Sequence, residues 1–159
     1  YYFPFPEHRF GGIGKKNAYP LESVTSIPEI PLGSNVIGLG IDTIEVSRIK
    51  ESIERHGEHF LNKIFTPEEQ SYCDDKSDSA PFYATRFASK EAMAKAFRTG
   101  MGKEFGWLDS EVVHGDAGEP FMKLSEAGRE LLEKVGAAKV LISLTHLSTV
   151  ASAVVILIS

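Results

Sequence analysis

The sequence predicts an α+β fold, with an antiparallel sheet packed against a long central helix. Three observations predict it. A glycine-spaced apolar stretch, Val36–Val46, reads as a strand. Ala84, Ala88, Ala92 and Ala96 recur every fourth residue through a helical stretch, a small-residue ridge that lets a helix lie close to a sheet. Two pairs of strand-sized apolar runs, each joined by a short turn, follow that helix.

At 159 residues the chain has room for one domain on a prior of about 150 residues per domain. Residues 1–34 differ from the rest. They hold Pro4, Pro6, Pro20, Pro28 and Pro31, five of the eight prolines, and no sustained period. They are expected to be a proline-rich N-terminal arm or a remnant of processing or trimming, since the chain begins at Tyr1. Residues 35–159 form the expected domain.

In the first strand, Ile37, Leu39 and Ile41 alternate with Gly38, Gly40 and Asp42. The second face is bare backbone leading to a carboxylate, a pattern that marks close approach by a ligand or another backbone. A helix over Val46–Ile64 follows, with Val46, Ile49, Ile53, His56 and Phe60 expected on the core face. Thr66-Pro67-Glu68-Glu69 opens another helix with an N-cap, a proline at N1 and a capping box. The central helix is expected from about Pro81 to Arg98, with Gly100 as its C-cap.

Trp107–Val113 and Pro120–Leu124 read as a hairpin around Gly115–Glu119. Ser125 caps a short helix through about Val135, closed by Gly136. Lys139–His146 and Val150–Ile158 form a second hairpin. Both faces of the last strand are apolar or small, so it is either central in the sheet or covered by another chain.

Composition narrows the function. A net charge of -5 disfavours non-specific nucleic-acid binding. No apolar run approaches the roughly 18 residues of a membrane span. Cys73 is the only cysteine, so an internal disulfide is excluded and a reducing, cytoplasmic setting is expected.

Several residues carry candidate chemistry. Asp42 and Glu91 are candidate ligands for a hard cation such as Mg²⁺, which takes one or two carboxylates together with phosphate oxygens and water. Arg86, Lys90 and Lys95 suit phosphates, or are ordinary helix-surface charge with Glu91–Lys95 as an i,i+4 pair. Thr99-Gly100-Met101-Gly102 forms a ligand cradle or a simple helix stop. The negative end of the helix dipole lies there, so a neutral part of a ligand fits better than an anion. His146, at a strand end, is either structural or a proton carrier or phosphate donor. Arg48 and Arg55, with Lys50, make a basic stripe that is a solvated face or a dock for an acidic partner.

In order along the chain stand Gly38-Leu39-Gly40-Ile41-Asp42 with Glu45 and Arg48-Ile49, then Ile64-Phe65-Thr66-Pro67-Glu68-Glu69. Arg86-Phe87-Ala88, Lys90-Glu91-Ala92, Lys95-Ala96 and Thr99-Gly100 follow. Trp107, Asp109, Glu111-Val112, Gly118-Glu119-Pro120 and Ser143-Leu144-Thr145-His146 close the series. The set resembles the holo-acyl-carrier-protein synthases, the small bacterial-type 4′-phosphopantetheinyl transferases.

The resemblance implies that family's fold, commonly as a homotrimer with active sites at subunit interfaces. It implies transfer of 4′-phosphopantetheine from coenzyme A to a serine of apo-acyl carrier protein, with Mg²⁺, in fatty acid biosynthesis. Adenosine 3′,5′-bisphosphate leaves. Asp42 and Glu91 match metal ligands; Arg86, Lys95 and His146 match residues near the coenzyme phosphates; Arg48 matches a carrier contact. Lys90, Thr99 and Gly100 belong to the same coenzyme-binding signature. In that chemistry Lys95 stabilises the leaving phosphate, and His146 or Glu91 takes the serine proton. Two positions depart from the pattern. Arg98 replaces a usual glycine, and Leu147 replaces a small hydroxyl residue.

Overall fold

A computed structural model describes residues 33–159. Apart from its last two residues, the expected arm lies outside the described residues. The elements run β1 (Val36–Glu45), α1 (Val46–Ile64), α2 (Pro67–Asp74) and α3 (Ala80–Phe97). They continue as β2 (Ser110–His114), β3 (Pro120–Leu124), α4 (Glu126–Lys134), β4 (Lys139–His146) and β5 (Val150–Ile158). The α+β architecture is the expected one.

β1, β5 and β4 form an antiparallel sheet in that order, and β2 and β3 form a separate hairpin. β5 is therefore central, which accounts for one of its two apolar faces. Ala151, Ala153, Val155 and Leu157 are buried on its inner side.

α3 lies across that inner side. Ala84, Ala88 and Ala92 are fully buried and Ala96 nearly so. A Cβ at Gly38 or Gly40 would overlap the carbonyl oxygens of Ala96 and Ala92. The glycine face of β1 thus accommodates another backbone, and the alanine ridge is its counterpart. Gly40→Ala is expected to cost at least the roughly 1–3 kcal/mol of an overpacked core, because the obstacle is backbone and not a flexible side chain. Urea denaturation gives the value.

The apolar face of β1 points the other way. Leu39 is 63% and Ile41 60% exposed. The usual rule of apolar side chains inward is inverted here, because close helix packing requires glycine on the inner face.

Local signals explain the helix ends. Thr66 and Glu69 form the predicted capping box, with Glu69 N donating to Thr66 Oγ1 at 3.2 Å and Thr66 N to Glu69 Oε2 at 3.1 Å. Ser125 caps α4 by accepting from Gly128 N at 3.0 Å. Asp109 braces the intervening loop, accepting from Gly106 N and Ser125 Oγ, each at 2.7 Å.

Three sequence expectations need correction. α1 is not continuous: Gly57, at φ 51 and ψ -135, breaks it into two segments. His56, expected on the core face, is exposed beside that break. The stop of α3 is Arg98, not Gly100. Arg98 sits in the left-handed region at φ 63, ψ 20. Its N–H donates to Lys95 O at 3.0 Å, while Thr99 N donates to Ala94 O at 3.2 Å, the two bonds of a Schellman turn. A side chain in that conformation costs roughly 1–2 kcal/mol. Arg98→Gly should therefore stabilise the protein by about 0.5–1 kcal/mol after glycine's greater entropy loss, read as a higher melting temperature.

Candidate functional site

β1 and α3 together position the first cluster. Asp42 ends the glycine-spaced run, and Lys95 lies one turn beyond Glu91 on the helix facing it. Lys95 Nζ reaches Asp42 Oδ1 at 2.8 Å and Ile41 O at 3.0 Å. The predicted i,i+4 partner, Glu91, is left without this hydrogen bond. Burial, then the nearby Asp42 carboxylate, push the Glu91 carboxyl above its ordinary range, with Lys95 opposing. Two carboxylates near enough to repel, on rigid elements and with one shared ammonium, match the donor set of a Mg²⁺–phosphate site. A divalent cation between them would turn that repulsion into shared attraction.

A second cluster surrounds Arg86. This side chain is 2% exposed, yet its only hydrogen bond among the described residues runs from Nη1 to Phe82 O at 3.3 Å. Nε and Nη2 are buried and have no acceptor among the described residues. Arg86 borders a depression of about 190 Å³ with Tyr72, His114, Gly118, Pro120 and His146. His146 is exposed, and its ring meets the Phe82 ring edge-on at 4.8 Å. A buried cation with idle donors is costly unless an anion completes it. No hydrogen bond or ion pair among the described residues joins the two clusters.

Lys90 belongs to neither. Its side chain is completely buried, paired with Glu69 Oε2 at 2.9 Å, and donates to Trp107 O at 2.8 Å and to Ser110 O. All three donors are occupied inside the protein, so Lys90 acts in the scaffold and not at a ligand. Burial pulls its pKa down and Glu69 opposes this. Glu69 also accepts from Val112 N at 3.1 Å. One ion pair thus joins α2, α3 and β2.

Thr99 Oγ1 is buried and without a partner among the described residues, while Gly100 has φ 66. Arg48 and Arg55 line a groove of about 250 Å³ whose floor includes Ile44, Ile49, Phe60 and Phe87. Both arginines are exposed. A larger depression, about 480 Å³, lies at the start of α1; of the candidate residues only Lys50 of the basic stripe lines it. Cys73 is inert: burial pushes its thiol up to about 12.

The model of the 4′-phosphopantetheinyl transferase superfamily matches residues 38–149, spanning both clusters and the groove. The chain belongs to this superfamily. A holo-[acyl-carrier-protein] synthase of Chlamydia pneumoniae is 43% identical over 121 residues, covering 76% of this chain and 96% of the relative. The crystal structure of a holo-[acyl-carrier-protein] synthase from Neisseria meningitidis is similar at a TM-score of 0.73 and 28% identity, over 77% of this chain and 98% of that one. The Helicobacter pylori synthase, crystallised in complex with coenzyme A, is similar at a TM-score of 0.66 and 33% identity, over 75% and 98%.

In this superfamily member the sequence reading did not single out Tyr72, Lys76 or His114. Lys76 Nζ lies 4.3 Å from the Tyr72 ring centroid, and His114 stacks on Tyr72 at 4.5 Å. Spacing along the chain gave no sign of them, because α2 and the β2–β3 hairpin meet only in the folded protein.

Proposed function

We propose that this chain is a holo-acyl-carrier-protein synthase serving fatty acid biosynthesis. The observation that carries the reading is the Asp42–Lys95–Glu91 cluster on a glycine–alanine seam, in a chain of the phosphopantetheinyl transferase superfamily.

Asp42 and Glu91 would hold Mg²⁺, which would supply positive charge to the coenzyme A diphosphate. The carrier's serine Oγ forms a bond to the phosphorus that bears pantetheine. The bond from that phosphorus to the bridging oxygen breaks, and adenosine 3′,5′-bisphosphate departs with the electron pair. Lys95 stabilises the departing phosphate. The serine proton passes to Glu91 or to His146. Such chemistry depends mainly on positioning and preorganised charge.

Arg86 and His146 bind coenzyme phosphate, using the idle Nε and Nη2 donors. Thr99 and Gly100 contact an uncharged part of the coenzyme. Arg48 and Arg55 receive the acidic carrier, and the apolar floor of their groove accepts its side chains.

The open face of the sheet, with Leu39 and Ile41, is the subunit seam of a homotrimer, and the two clusters complete each other across it. Ile41→Asp should yield monomers by sedimentation and lose transfer with them. On this reading residues 35–159 are the transferase domain, residues 1–34 are an arm or a remnant of trimming, and the cytoplasm is the site of action. No helix among the described residues is long and apolar enough to cross a membrane.

The test is to incubate the protein with coenzyme A, Mg²⁺ and an apo-carrier protein and weigh the carrier. The carrier should gain one phosphopantetheine. A folded enzyme that leaves every carrier unchanged would refute the reading.

A further inference from the structure

Arg86 poses a physical question that its phosphate-binding role leaves open. A guanidinium is normally held in a protein interior by a carboxylate. Here it is 2% exposed and has no carboxylate partner among the described residues. A single 3.3 Å bond from Nη1 to Phe82 O fixes only one end of the group.

The remaining support is aromatic. The Arg86 guanidinium carbon lies 4.2 Å from the centroid of the Tyr72 ring, within the range of a strong cation–π contact. Tyr72 is itself held. The His114 ring stacks on it at 4.5 Å with an interplanar angle of 5°, and Phe82 meets it edge-on at 6.2 Å. A π face attracts the guanidinium without accepting any N–H in the plane of the fork. A carboxylate in the same place would hold the arginine equally well, but it would occupy the donors and repel a phosphate.

We propose that Tyr72 is the positioning residue for Arg86: its ring, which also stacks with His114 and carries Lys76, holds the guanidinium without accepting its N–H groups, so that Nε and Nη2 stay available for a coenzyme phosphate. This deepens the function proposed above and rests on the phosphate role of Arg86 within it. Tyr72 does not touch the reacting atoms. It acts through the arginine.

The proposal requires an aromatic face and makes no use of the phenol hydroxyl. Tyr72→Phe should therefore bind adenosine 3′,5′-bisphosphate within about twofold of the parent, while Tyr72→Leu should weaken it about tenfold, the scale of a desolvated cation–π contact. In turnover the loss should fall on KM for coenzyme A and leave kcat largely unchanged. Combined with Arg86→Met, Tyr72→Leu should add nothing further, since the residue it positions is gone. Melting temperatures accompany each variant. Should Tyr72→Leu unfold at the assay temperature, Tyr72→Met is the non-aromatic arm.

Calorimetric titration with adenosine 3′,5′-bisphosphate separates the outcomes. Weak binding by Arg86→Met with full binding by Tyr72→Leu would overturn the positioning role and leave the phosphate role standing. Equal losses in Tyr72→Phe and Tyr72→Leu would overturn it too, because the face is preserved in the first. Unchanged binding by Arg86→Met would overturn both roles of the pair while leaving the Asp42–Glu91 site untouched. Weak binding by Arg86→Met and by Tyr72→Leu but not by Tyr72→Phe, with no further loss when Tyr72→Leu is added to Arg86→Met, is the result that supports it.

Discussion

Lys90→Met should destabilise the protein by about 3–5 kcal/mol, the scale for removing one partner of a buried ion pair. The substitution keeps the aliphatic stem and removes the ammonium. Glu69 is then left as an unpaired carboxylate in the core, and the Trp107 and Ser110 carbonyls lose their donor. Urea unfolding should show a lower midpoint with an unchanged slope. Pairing the change with Glu69→Gln should recover part of the loss. The amide carries no charge and keeps one acceptor where Glu69 used two, its Oε2 for Thr66 N and its Oε1 for Val112 N, so unmade hydrogen bonds remain and the recovery is partial. Coenzyme A affinity of the folded fraction should be unaffected. Full stability together with lost affinity would return Lys90 to the ligand site.

Glu91→Gln should do the opposite. Its shape matches glutamate, so the α3–β1 seam is preserved. Removing the charge also removes repulsion from Asp42, so stability should hold or rise slightly near neutral pH. The sign follows from the raised carboxyl. Burial and Asp42 oppose the charged form in the folded state, so that penalty is present above the folded pKa and is relieved as pH falls through it. Transfer to the carrier should nonetheless fall by about 10²–10³-fold, as when one preorganised electrostatic group is lost from a catalytic site. Weighing the carrier over time measures it. A well-folded variant with near-parental rates would remove Glu91 from the reaction.

Much of this site is legible in the amino-acid order because it rests on close backbone packing. Gly38 and Gly40 alternating toward Asp42, set beside an alanine every fourth residue on α3, can pair in only a few ways. The observed pairing puts Asp42 next to Lys95 and within electrostatic reach of Glu91. The Thr66–Glu69 capping box and the two hairpins are equally local, so their signals survive folding unchanged.

What escaped depends on contacts between distant segments. Lys90 and Lys95 look alike in sequence, both near Glu91 on one helix. Their fates diverge because Glu69 and two carbonyls beyond α3 enclose the first, while β1 presents a carboxylate to the second. Tyr72 and His114 become a pair only when α2 packs near the β2–β3 hairpin. Gly57 is a tolerable helix glycine by pattern, and its positive φ is visible only in the folded chain. The stop of α3 is a further case: the pattern favours Gly100, whereas the left-handed residue is Arg98, where glycine would be the easier residue.

The most direct test of the Asp42–Glu91 metal assignment is the metal dependence of transfer by the unaltered protein. Apo-carrier and coenzyme A are mixed with enzyme stripped of metal by a chelator, and the carrier is weighed before and after Mg²⁺ is restored. The carrier should stay unmodified until Mg²⁺ returns and then gain phosphopantetheine. Transfer at an undiminished rate in the metal-free mixture would contradict it.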